Sequence, residues 1–302
     1  MEDITIGCEN CGAVLQIAKE ARTANCPYCD HPSVVERPVS ADRPMPSFVL
    51  GFVLGQEDAF QKASAFIKAS SIFARSDFRR AALEKTRSVY LPAYVYGALA
   101  DTRYSAQIGE NYTETETYTT TDSEGKTTTN TRTVTKTEWR SLSGEHDSYV
   151  RDIVVTASRA IGNDELEAVE PFDFRALRRY DMAMVSGWTS EEPSLSLDEC
   201  FGLAHQEALD TVGKKLSDFM PGDSHASLTY QTTLHDEVID LLLLPLWVFA
   251  VNYHPEKEPV RILVNGQTGL VGGKVPISVV KIILLVLAVA AIGAGIWFGV
   301  QA

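Results

Sequence analysis

Leu91-Pro92-Ala93-Tyr94-Val95-Tyr96 recurs 153 positions later as Leu244-Pro245-Leu246-Trp247-Val248-Phe249. Both copies read as strands. Proline donates no hydrogen bond and is tolerated at the first strand position, so each Leu-Pro predicts a strand start. The aromatics that follow alternate and point to one face. The second copy lies in the apolar run Leu241 to Val251, which is too short to cross a bilayer and reads as a buried strand.

Each copy follows an amphipathic helix. Phe60, Ala63 and Ile67 share a face between Asp58 and Ala69. Ser196 predicts the cap of a second helix starting near Leu197, with Glu199 as the acid of a capping box. Its apolar positions run from Leu197 through Phe201, Ala204, Ala208, Val212 and Leu216 to Phe219, and Met220-Pro221-Gly222 ends it. Beyond the second strand, Val260 to Val264 reads as a strand, Asn265-Gly266 as a hairpin signal and Leu270 to Lys274 as the return. The halves are thus two divergent α+β repeats, 48–110 and 140–273. Between them, 111–139 is dominated by threonine, a strand former. With Asp122 to Gly125 as a turn, it predicts a long hairpin, polar on both faces, whose exposed edges are candidates for strand addition.

Cys8-Glu9-Asn10-Cys11 and Cys26-Pro27-Tyr28-Cys29 are two C-x-x-C knuckles. Four thiolates at this spacing suit tetrahedral Zn²⁺. Residues 1–36 therefore read as a zinc ribbon in which Cys8, Cys11, Cys26 and Cys29 hold a structural Zn²⁺ that replaces the core so small a segment lacks. Gly12 suits the left-handed turn after the first knuckle. Asp30 is a less ideal residue for that turn after the second, and His31 reads as a surface residue. Residues 37–47 read as a proline-rich linker, with a head that moves relative to the body. Cys200, on an apolar helical face, reads as core packing.

At the other end, 282–300 reads IILLVLAVAAIGAGIWFGV, an uncharged run matching the roughly 20 residues that cross a bilayer. The expectation is a C-terminal transmembrane helix at 276–300, holding membrane lipid. Lys274 and Lys281 precede it, and MEDITIGCENCG offers no apolar signal segment. The expected location is a bacterial inner membrane, single-pass, with the N-terminal bulk in the cytoplasm. Gly295 and Gly299 form a G-x-x-x-G that would let two such helices approach closely.

A net charge of −13 argues against phosphate-backbone binding, so nucleic acid is not the expected partner. Gly125-Lys126-Thr127 lacks the first glycine and the strand–loop–helix setting of a phosphate loop. His205-Gln206-Glu207 and His235-Asp236-Glu237 lack the second histidine of a metalloprotease helix. Asp236, Glu237 and Asp240 read as a solvated loop, so no catalytic or cofactor-binding residues are assigned and the chain reads as non-enzymatic.

The four cysteines, Leu244-Pro245-x-Trp247, Val264 to Gly269 and the apolar run together resemble a family of bacterial zinc-ribbon, single-span membrane proteins often labelled primosomal-helicase-like. No helicase ATP site is present, so that activity is not carried over. The resemblance implies partnership with phage-shock-protein-A-like and SPFH-type proteins in envelope stress or membrane maintenance. The expected function is a membrane-anchored zinc-ribbon adaptor recruiting cytosolic or membrane-associated proteins. The alternative is a nucleic-acid-binding or transcription-related ribbon tethered to the membrane.

Overall fold

The computed structural model describes residues 4–8, 10–17, 26, 28–29, 34–36, 44–83, 86–121, 127–185 and 188–301. Most of the proposed linker, residues 37–43, lies outside them, as do Asp30, His31 and the predicted turn Asp122 to Gly125 with Lys126.

The cysteine head carries β1 (Ile4–Cys8), β2 (Val14–Ile17) and β3 (Val34–Glu36). After β4 (Phe48–Val49), α1 (Gln56–Ala69) and α2 (Ser76–Arg80) come two very long strands, β5 (Thr86–Thr121) and β6 (Thr127–Thr156). Short elements follow: α3 (Asn163–Glu167), β7 (Arg178–Arg179), α4 (Met182–Val185) and β8 (Thr189–Glu192). The chain continues through α5 (Leu197–Phe219), β9 (Ser224–Val251), β10 (Val260–Asn265), β11 (Val271–Gly273) and α6 (Val279–Gln301). Strand order is β11-β10-β9-β5-β8-β2-β1-β3, with β4 and β6 pairing off this path. The result is a sheet-dominated α+β fold.

The chain divides into two compact units: Met1–Val95, Val154–Phe201 and Asp240–Ala302 form the first, Tyr96–Ile153 and Gly202–Ile239 the second. In the first, α1 turns Ala59, Ala63 and Ile67 onto Trp247, Phe249, Ile262 and Val264. The Trp247 indole, which needs a partner when buried, donates to Leu54 O at 3.0 Å. In the second, Leu216 and Met220 pack on Ala106 and Ile108.

Several expectations meet the structure directly. The Ser196–Glu199 capping box forms in both directions, at 3.2 Å and 2.8 Å. Pro92 and Pro245 do not start strands; they lie inside β5 and β9. Their carbonyls still accept, from Ala157 N at 3.0 Å and Gly266 N at 2.8 Å. The head is also stitched into the body: β2 pairs antiparallel with β8 from Val14↔Glu192 to Gln16↔Ser190, which opposes independent movement of the head.

The C-terminal transmembrane helix expected at 276–300 is corrected: no helix of the described residues is long and apolar enough to cross a membrane. The G-x-x-x-G side chains lie outside the described set. Lys281, read as a flanking charge, instead donates to Ile72 O at 3.1 Å and Ala74 O at 2.7 Å. The membrane anchor and the single-pass inner-membrane placement fall with that helix.

Candidate metal centre

The first knuckle is built by a tight turn at the end of β1. Gly12 N donates to Cys8 O at 2.9 Å and Cys8 N to Ala13 O at 2.8 Å, with Gly12 at φ +75°. That φ favours glycine, because a Cβ disfavours the left-handed region. The second knuckle brings Cys26 and Cys29 to the same point. All four sulfurs lie within 4.8 Å of one another, and none is in a disulfide. Cys8 Sγ is 3.6 Å from Cys29 Sγ, and Cys11 Sγ is 3.4 Å from Cys26 Sγ. A tetrahedron of Zn–S bonds near 2.3 Å has edges of about 3.8 Å. The donor set therefore fits a metal ion. Cys8 and Cys26 are buried, Cys11 and Cys29 half-buried.

The thiols share protons unevenly. A hydrogen bond to Cys26, reinforced by burial, pushes the Cys11 thiol up, and the same bond pulls Cys26 down to about 5. Burial raises Cys8.

Beneath the second knuckle lies a buried polar layer that sequence reasoning missed. Tyr28, between the two cysteines, is buried, as is Glu191 on β8. The Ser158 hydroxyl donates to Glu191 Oε1 at 2.5 Å. Burial pushes the Glu191 carboxyl up to about 8 against that hydrogen bond. Glu191 is held there by the β2–β8 pairing, opposite Leu15. Its place in the polar stretch Thr189 to Glu192 gave no sign of this.

The other candidates separate. Cys200 is fully buried, with Sγ 3.5 Å from Thr156 O, consistent with core packing. Asp240 accepts from Ser47 Oγ at 3.2 Å, and Asp236 is exposed at φ +49° inside β9. These acids form no ligand cluster: among the described residues the cysteines are the one group of three or more metal-binding side chains. His235 Nε2 lies 3.2 Å from Asp101 Oδ2.

Glu237 has its own setting in the second unit. The Tyr96 hydroxyl donates to Glu237 Oε2, and His205 Nδ1 lies 2.8 Å from the same oxygen. Burial alone would raise this carboxyl, but the hydrogen bonds from Tyr96 and His205 outweigh it and hold it below its ordinary 4.5. A carboxyl lowered by folding stabilises the folded chain above that ordinary value and loses its contribution as pH falls through the folded value. Glu237→Gln is therefore expected to lower the melting temperature by about 2–4 °C at pH 7. The gap should close in acid. Thermal unfolding across pH checks this; a gap unchanged at low pH would sink the assignment.

The chain is similar to the uncharacterized protein YdjG of Bacillus subtilis (strain 168), at 23% identity over 249 residues. The match covers 77% of this chain and 64% of that protein, so it spans less than two thirds of the relative's length. No family model matches the chain, and no solved structure does.

Proposed function

We propose that the chain is a non-enzymatic adaptor: a structural zinc centre fixes its N-terminal head in a form that binds other proteins. The observation that carries this is the convergence of four sulfurs within 4.8 Å. Four thiolates leave zinc no open coordination position, which is the structural rather than the catalytic arrangement. The metal centre also organises a sheet edge. Beyond β2 and β1 the strand order ends at β3, whose outer side pairs with no other strand among the described residues. A free edge can take an added strand from a partner. The net charge of −13 favours protein partners over nucleic acid. The family resemblance nominates phage-shock-protein-A-like and SPFH-type proteins, in an envelope-stress role.

The test uses the purified full chain, zinc-loaded, against one purified protein of each class. Binding that is lost in the Cys8→Ser/Cys11→Ser variant is the expected result. A salt-sensitive complex with nucleic acid, or protein binding that survives loss of the metal, would overturn the proposal.

A further inference from the structure

The short α2 lies against the end of α1. Phe78 is fully buried in the cluster that holds Ala59, Ala63 and Ile67 of α1, with its ring edge-on to Tyr253 at 6.0 Å. Burying Phe78 leaves its neighbours Arg79 and Arg80 in solvent. Arg79 reaches across and donates to Lys68 O, at 3.5 Å, in the last turn of α1. Lys68, Ser76, Arg79 and Arg80 together line an open cavity of about 330 Å³.

Among the described residues, no carboxylate forms an ion pair with Lys68, Arg79 or Arg80. The neighbouring acid, Asp77, is already taken. Arg75 holds it at 2.7 Å, and that hydrogen bond keeps its carboxyl well below the usual carboxylate range. The cations thus converge without an acid in a chain whose net charge is −13. Like charges held together repel, so the cluster lowers stability until an anion joins it. Helix-end carbonyls favour a cation in the last turn of α1, which accounts for Lys68. They do not account for Arg79 and Arg80. A helix of 5 residues carries little macrodipole, and Arg79 uses a single N–H on Lys68 O. The Lys281 ammonium, held on Ile72 O and Ala74 O, adds positive charge to the turn that leads into α2.

We propose that this cavity binds the phosphate group of a phosphate monoester. Guanidinium forks match phosphate oxygens two at a time, and the Lys68 ammonium adds a point charge. The Ser76 hydroxyl is a further donor on the cavity wall. Charge selects among anions: a dianionic phosphate balances two guanidiniums and an ammonium better than a single carboxylate does. Volume selects the ester. The cavity lies at the lower end of the roughly 300–1,000 Å³ of small-molecule sites, so the phosphate can keep its organic group. The cations are exposed and water screens each contact, so the Kd for phosphate alone is on the order of 1 mM at low salt.

A phosphorus NMR titration of inorganic phosphate with the full chain tests this, at low salt and about pH 8, where phosphate is mostly dianionic. Saturable binding is expected. Arg79→Gln/Arg80→Gln keeps good helix formers at exposed positions and should weaken it at least about tenfold. Arg132→Gln/Lys136→Gln removes the same charge from β6 and should bind as the wild type does. Co-sedimentation with phosphatidylcholine vesicles, with and without phosphatidic acid, separates the sources. Vesicle binding that needs phosphatidic acid and fails in the Arg79/Arg80 variant identifies a lipid headgroup. Phosphate bound without vesicle binding identifies a soluble ester. Absence of both, or binding that the Arg79/Arg80 variant retains, would overturn the proposal. Equal loss in the β6 variant would overturn it too, by reducing the effect to overall charge.

Discussion

Asn265→Ala should cost the first unit about 3 kcal/mol, among the largest effects of any single polar substitution in this chain. Asn265 is fully buried at the end of β10. Its side-chain oxygen accepts from Gln267 N at 2.9 Å and Thr268 N at 3.0 Å, closing the turn into β11. Its amide donates to Val169 O at 2.9 Å and reaches Pro171 O at 3.4 Å, tying that turn to the segment after α3. Alanine removes every one of these bonds and leaves the carbonyl of buried Val169 without its donor, the costly half of losing a hydrogen bond. Asn265→Asp isolates the two roles: the turn N–H groups keep an acceptor while Val169 O loses its donor. Gln267→Ala should cost less, because Gln267 is half-buried and its bonds with Asp173, at 2.8 Å and 3.0 Å, leave groups nearer to solvent. Urea unfolding of the three variants checks the order; an Asn265→Ala loss below about 1 kcal/mol would remove the residue from this role.

That hairpin was legible because its causes are local. Asn265-Gly266 announced a turn between two apolar strands, and β10 and β11 pair as expected, Val264 with Val271. Within that turn Gly269, at φ +78°, takes the left-handed position and Asn265 N donates to Leu270 O. The cysteine knuckles were legible for the same reason, since metal spacing is written in consecutive residues. What failed to show was joined over long separations. Tyr96 and Glu237 lie 141 positions apart, and no periodicity marks a carboxylate that two distant elements enclose. Glu191 gave no local sign of its burial, which accompanies the pairing of β8 with β2, 174 to 178 positions apart in sequence. The β5–β6 hairpin falls between these cases: composition predicted it as polar, and only the register set its cross-strand ion pairs, Arg132 with Glu116 at 3.0 Å and Lys136 with Glu114 at 2.7 Å. The apolar run at 282–300 misled because composition alone was taken as a span. No helix of the described residues is long and apolar enough to cross a membrane, and the first charged residue of α6, Lys281, donates to the carbonyls of Ile72 and Ala74.

Removing the metal should have the larger consequence. Structural zinc contributes on the order of 10–16 kcal/mol of folding free energy in small isolated domains. Here part of the head's order comes from the body, through the β2–β8 pairing and through Tyr28, buried beside Glu191 and Ser158. Cys8→Ser/Cys11→Ser is therefore expected to reduce bound zinc from about one ion per chain to a trace and to release β1, β2 and β3 together. The loss should reach β8, because its antiparallel partner leaves and the buried Glu191 carboxyl becomes exposed. It should stop there. β8 retains its parallel pairing to β5 at Val89↔Thr189 and Tyr90↔Ser190. Just before it, the Trp188 ring stacks on Phe52 at 4.2 Å, beside Tyr90 and Trp247. Hydrogen exchange resolves these steps. Protection should vanish across residues 4–17, weaken across 189–192, and persist in β9, β10 and the second unit. Elemental analysis of the same samples gives the metal content. A wild-type chain without metal, or a variant that keeps it, would refute the centre. Loss of protection running on into β10 would show instead that the metal holds the whole first unit, and that the aromatic cluster at Trp188 does not bound the unfolding.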